Sequence, residues 1–271
     1  MRIDFHTHCF PDSLAPRAMA KLKQNCATDA AISPHTDGTA ADTERLLRAA
    51  GIDRAVVCNI ATNQKQEYNV NSFAISLAAS DFFIPLGSLH PDSTAWESEL
   101  DRLMAAGIKG IKLHPDYVGI PLTDARFDRM LSLIEERGLF VIVHAGVDPL
   151  SPDFVHASPE MIATVHRKHQ KLPLIAAHMG GYRRAAEVHK HLCGTGVYLD
   201  TSLSVRRESE AMSLWRLLRD HDENRLLFAS DTPWSNPKKE IAFVESAGLT
   251  VATQERIFYK NAAKLLGLAI E

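Results

Sequence analysis

His6 and His8 are separated by a single residue in the opening run Ile-Asp-Phe-His-Thr-His. In a β-strand residues i and i+2 share a face, so both imidazoles can reach one point. Two further residues have the chemistry to join them. His144 closes the apolar run Leu-Phe-Val-Ile-Val-His, and Asp231 follows Leu-Leu-Phe-Ala-Ser. Three neutral imidazoles and a carboxylate make a donor set for one divalent ion. Zinc is the first expectation, and manganese or iron would accept the same ligands. His178, in Ala-Ala-His-Met-Gly-Gly, is read either as a further ligand or, preferably, as an acid/base or electrostatic group beside the ion. Lys112 and His114, in Gly-Ile-Lys-Leu-His-Pro, form another i, i+2 pair suited to a substrate carboxylate or carbonyl. His90 is a weaker candidate. The remaining histidines, His35, His156, His166, His169, His189, His191 and His221, fall in loops or polar helical stretches and read as solvated surface groups.

These residues need a frame that brings distant parts of the chain together. Short apolar runs, read as strands, lie at about 3–8, 55–60, 83–89, 109–114, 140–145, 174–178, 197–201 and 226–230. They show little polar alternation, as expected of parallel strands covered on both faces. Helical patterns lie between them. Phe127, Met130, Leu131 and Ile134 follow Thr123–Asp124 and precede Gly138; Leu100, Leu103 and Met104 precede Gly107; Phe258, Ala262 and Leu265 precede Gly267. Eight strands alternating with helices predict a single-domain (β/α)₈ TIM barrel spanning residues 1–271. Every candidate site residue then falls at or near the C-terminal end of a strand, the face where such barrels keep their active sites. No GxGxxG or GxxxxGK[ST] loop follows any strand, which weighs against an open nucleotide-binding sheet. The gap between the first two strands is the longest. It places an insertion at about 9–39, expected to lie over the active-site face and to shape the pocket.

Composition narrows the partners. Thirty Lys and Arg balance thirty-three Asp and Glu, which weighs against nucleic acid or an anionic membrane as the ligand and leaves a small-molecule substrate. No apolar run approaches the ~20 residues of a membrane span. Cys9, Cys26, Cys58 and Cys193 form no CxxC and read as reduced thiols. With no leader pattern at the N-terminus, a cytoplasmic location is the expectation. A homo-oligomer is compatible with all of this.

Taken in order along the chain, six segments resemble the amidohydrolase superfamily, and more closely its amidohydrolase-related, aminocarboxymuconate-semialdehyde decarboxylase-like branch. They are Ile-Asp-Phe-His-Thr-His, Gly-Ile-Lys-Leu-His-Pro, the strand-end His144, Ala-His-Met-Gly-Gly, Phe-Ala-Ser-Asp-Thr-Pro-Trp, and the closing Glu-Arg-Ile-Phe-Tyr-Lys-Asn-Ala-Ala-Lys-Leu-Leu-Gly. The resemblance implies a (β/α)₈ barrel with one divalent metal held by His6, His8, His144 and Asp231, and a catalytic or supporting His178. A neighbouring branch, the TatD-like nucleases, places a metal-bridging Glu at the fourth strand, where this chain has Lys112 and His114. A carboxylated Lys112 would instead imply two metals. Three functions follow. The first is a metal-dependent hydrolase of a small amide, ester or lactone, with Asp231 as proton carrier and His178 steadying the oxyanion. The second is a metal-dependent non-oxidative decarboxylase, and the third a metal-binding barrel without catalysis.

Overall fold

The computed structural model describes residues 1–25, 33–206 and 208–269. Nine short strand segments run in parallel: β1 (Ile3–Thr7), β2 (Arg54–Val57), β3 (Phe83–Pro85), β4 (Gly87–Ser88), β5 (Gly110–Leu113), β6 (Phe140–Val143), β7 (Leu174–Ala176), β8 (Tyr198–Asp200) and β9 (Leu226–Leu227). They pair as β1-β2-β3 and as β4-β5-β6-β7-β8-β9. β3 and β4 are two halves of one strand position, bridged at Leu86, whose N–H donates to the Val57 carbonyl at 2.9 Å. The ring closes between β9 and β1. Phe5 N–H donates to Phe228 O (2.8 Å), Asp231 N–H to His6 O (2.8 Å) and His8 N–H to Thr232 O (2.7 Å). The eight expected strand positions therefore form a closed barrel with helices between them.

Burial explains why the strands read as continuous apolar runs. Along β6, Phe140 and Ile142 belong to the cluster inside the barrel, while Val141 and Val143 belong to the layer shared with the helices. Both faces exclude water, so neither requires polar residues. The helix Ala125–Glu136 buries Phe127, Met130, Leu131 and Ile134, and the Asp124 carboxylate caps it by accepting from Arg126 N–H.

Three expectations need correction. Met104, placed on the apolar face of the helix Trp96–Ala105, is 40% exposed, whereas Leu100 and Leu103 are buried. Near the C-terminus a π-helical turn, Arg256–Lys260, precedes the helix Asn261–Leu266. Its wider turn shifts the apolar face, so Leu266 is buried and Leu265 only half-buried. His169 and His221 are buried, not solvated. His169 Nε2 meets Asp128 Oδ1 at 3.0 Å. His221 Nε2–H donates to Val197 O at 3.0 Å, and its Nδ1 accepts from Gly194 N–H.

The insertion between β1 and β2 begins and ends side by side, with Phe10 N–H donating to Gly38 O and Phe10 bridging Thr39. Its described part contains the helix Ala15–Asn25; residues 26–32, Cys26 among them, lie outside the described residues. Among the described residues, no helix is long and apolar enough to cross a membrane.

Candidate active site

A cavity of about 720 Å³ opens at the C-terminal ends of the strands. His6, His8, Lys112, His114, His144, His178 and Asp231 all line it, together with apolar walls from Phe10, Phe73, Tyr117, Tyr182 and Trp234. His90 lies elsewhere; its ring nitrogen Nδ1 accepts from Asp92 N–H, a local turn contact.

The first strand delivers its histidines through an irregularity. Ile3 and Phe5 point into the barrel interior, and strict alternation would turn His6 away from them. The pairing of β1 with β2 shifts register between Asp4 and Thr7, which places an extra residue in β1. The alternation resets there, and His6 and His8 both reach the cavity. Beneath them the buried Asp4 accepts from the Ser230 backbone (2.9 Å) and hydroxyl (2.5 Å), fastening β1 to the segment that follows β9; burial pushes its carboxyl up to about 7.

The hydrogen-bond partners fix which ring nitrogens carry protons. His8 Nδ1–H donates to Cys58 O at 2.8 Å, leaving Nε2 toward Asp231 Oδ1 at 2.9 Å. His6 Nδ1–H donates to Asp200 Oδ2 at 2.9 Å, leaving Nε2 at 2.9 Å from Lys112 Nζ and 3.6 Å from Asp231 Oδ1. The Ser202 hydroxyl donates to Asp200 Oδ1, so it accepts from His178 Nδ1–H at 2.7 Å. His178 Nε2 is then the acceptor facing His144 Nδ1 at 3.1 Å. His144 Nδ1 is accordingly a donor in the neutral ring, and its other nitrogen, Nε2, is buried without a hydrogen-bond partner. That Nε2 lies 3.8 Å from Asp148 Oδ2 and 3.9 Å from Asp116 Oδ2.

Electrostatics favours this protonation pattern. Burial holds His6, His114 and His178 well below the ordinary imidazole value, so these rings are neutral near pH 7. Burial also pulls the Lys112 ammonium down from its ordinary value. For Asp231 burial opposes ionisation, but His6, His8 and Lys112 outweigh it and hold the carboxyl below the usual range. Cys9 and Cys58 are pushed up to about 12 by burial and stay as thiols.

His6, His8 and Asp231 thus present acceptor atoms within 4.8 Å of one another. Neutral imidazole nitrogens and an ionised carboxylate aimed at one region fit a divalent cation, with Asp200 and the Cys58 carbonyl holding the rings by their far nitrogens. His144 and His178 border that region. His114 does not: its ring stacks between Tyr117 (3.9 Å) and His144 (4.1 Å), with Nε2 3.6 Å from Asp148. Stacked parallel rings cannot both point in-plane at one ion, so His114 and His144 do not share a metal despite their proximity to Asp148.

Backbone strain concentrates at the same place. Asp231 (φ 64°), His178 (φ 58°) and Met179 (φ 57°) adopt the left-handed region although none is glycine. Each such residue costs of order 1–3 kcal/mol and persists where its surroundings over-determine it. After His144 the chain turns at Gly146 (φ 92°), where a Cβ would lie 2.1 Å from Tyr182 N.

Sequence reasoning missed Asp200, Asp148 and Asp116. Asp200 ends β8, so the criterion that selected the other residues, a polar group at the C-terminal end of a strand, applies to it equally. Asp148 lies on a loop and Asp116 in the short helical turn Pro115–Val118, and both become visible only through their contacts.

The family model for amidohydrolases matches residues 3–268. Comparison with curated protein sequences finds no match. Several solved structures share the fold at low identity. An uncharacterized TIM-barrel protein from Bordetella bronchiseptica is 18% identical over 98% of both chains, with a TM-score of 0.77. A 5-carboxyvanillate decarboxylase from Novosphingobium aromaticivorans, complexed with manganese and 4-hydroxy-3-methoxy-5-nitrobenzoic acid, is 16% identical over 99% of this chain and 96% of that one (TM-score 0.69). A probable 2-pyrone-4,6-dicarboxylic acid hydrolase from Acinetobacter baumannii, with citric acid bound, is 16% identical over 98% and 99% (TM-score 0.67). With a barrel closed over its full length and a family model covering nearly all of it, the chain belongs to the amidohydrolase family.

Proposed function

We propose that the protein is a divalent-metal-dependent hydrolase of a small amide, ester or lactone. The observation that carries this reading is the ionised, buried Asp231, in contact with His8 Nε2 and close to His6 Nε2 on the cavity wall. His6, His8 and Asp231 would hold the ion. His144 would join them through Nδ1 once its proton moved to Nε2, where the Asp148 and Asp116 carboxylates lie nearby. A divalent ion there supplies Lewis acidity, polarising a carbonyl and acidifying a water.

The rest is done by the chain. Asp231, kept ionised, accepts the proton of the attacking water and returns it to the leaving group. His178, its one N–H committed to Ser202 and Asp200 behind it, turns the Nε2 lone pair toward the reacting centre, where it accepts a proton or hydrogen bond instead of steadying an oxyanion. Lys112 Nζ donates toward the same point, and His114, stacked between Tyr117 and His144 on the cavity wall, would meet the substrate's polar end. The apolar walls hold the substrate body and exclude bulk water.

A second reading, non-oxidative decarboxylation, draws support from Lys112, an ammonium positioned where it could supply a proton to carbon, and from the several decarboxylases among the structures of similar fold. One experiment separates the two: metal-loaded protein is offered lactones, esters, amides and aromatic carboxylic acids while acid release and CO₂ are followed together. Acid release without CO₂ supports hydrolysis; CO₂ release overturns it in favour of the second reading.

A further inference from the structure

The helix Ala15–Asn25 contributes exposed residues to the lining of the cavity whose buried part carries His6, His144, His178 and Asp231. Successive helical residues are turned by about 100°. On that wheel Arg17, Lys21, Leu14, Ala18 and Leu22 occupy one continuous arc, and all five line the cavity. Ala15 and Met19 continue the arc on the buried side. Met19 packs against Gly38, where a Cβ would stand 2.6 Å from its Cγ. The buried side sets the roll of the helix, and that roll turns Arg17 and Lys21 to the opening.

These two cations stand one turn apart and are exposed. Among the described residues neither has a carboxylate partner. Among the described residues the acidic groups lining the cavity, Asp148 and Asp231, lie beside the histidines. Like charges at i, i+4 repel and weaken a helix. A mouth carrying two cations with no acidic partner among the described residues, above apolar walls, draws anions inward.

We propose that Arg17 and Lys21 are specificity-determining residues that hold an anionic group at the end of the substrate remote from His6, His8 and Asp231. The preferred ligand then has an apolar body with a charge at its far end. This rests on the reading of the cavity as a metal-dependent catalytic site.

The test uses manganese-loaded protein and calorimetric titration with matched acids: benzoate against isophthalate and terephthalate, and biphenyl-4-carboxylate against biphenyl-4,4′-dicarboxylate. At least one diacid is expected to bind about 10-fold more tightly than its monoacid, the worth of one charge-assisted contact. The R17Q/K21Q double variant should abolish that margin while monoacid affinity, metal content and melting temperature stay unchanged. A margin that survives in the double variant, no margin in any pair, or no binding of any acid overturns the proposal. Monoacid affinity that is unaffected by stripping the metal would contradict the catalytic reading instead, because the margin reports on the rim alone.

Discussion

His8 Nε2 stands 2.9 Å from Asp231 Oδ1 while the other nitrogen of the same ring is committed to the Cys58 carbonyl. Both atoms are thereby turned toward one point, where a divalent ion would be shared between them. Asp231→Asn removes the charge and the base together. Turnover should fall by roughly 10²–10⁴-fold, even with metal in large excess. Steady-state kinetics at saturating metal checks this, and a variant retaining a tenth or more of wild-type turnover would remove Asp231 from the proton-carrying role.

His178 faces the site but is held by Ser202 and by His144. Its replacement by Asn should leave metal occupancy nearly intact and lower turnover by roughly 10²–10⁴-fold. Metal content of the purified variant, measured beside its kcat, distinguishes the roles. Occupancy falling as far as in a His6→Ala variant would make His178 a ligand.

Asp200 makes contact with two of these histidines through their far sides, His6 directly and His178 through Ser202. It also accepts from the His178 backbone N–H at 2.9 Å. Asp200→Asn should weaken metal affinity by about 10–100-fold, the usual effect of losing a carboxylate behind a ligating imidazole. Competition with a fluorescent chelator measures it. Unchanged affinity would mean that the bulge in β1 alone orients His6.

His221 gives a stability prediction far from the site. Its ring accepts at Nδ1 and donates at Nε2, a pattern only the neutral form satisfies, and burial lowers its pKa below 6.5. The unfolded chain therefore binds the proton first as pH falls. The stability this group contributes is complete above about pH 6.5 and is lost progressively below it, until the folded form also protonates. Denaturant midpoints of wild type and His221→Gln, compared between pH 7.5 and 5.5, should converge on acidification. A constant difference across that range would contradict the assignment.

The barrel was legible because its strands are buried on both sides and so read as unbroken apolar runs, several of them with a histidine or aspartate at or next to the end where the sheet meets the cavity. Other features depend on contacts between residues far apart in the chain. The register shift that lets both Phe5 and His6 point inward shows no trace in Ile-Asp-Phe-His-Thr. His169 and His221 looked like surface residues because their partners, Asp128 and Val197, are distant in sequence. The inward-facing residues of the site could be named from strand ends, but the pairing of His144 Nδ1 with His178 could not, since ring orientation is set by packing against His114 and the loop carrying Asp148.

The central claim is that His6, His8 and Asp231 form the heart of a site for one divalent ion. Elemental analysis of the purified protein after incubation with zinc or manganese and exhaustive dialysis tests it most directly. The account predicts one equivalent of metal per chain in the wild type and near-complete loss in His6→Ala and in His8→Ala, both still folded by circular dichroism. A wild type that emerges metal-free from both incubations, or variants that keep a full equivalent, would contradict it.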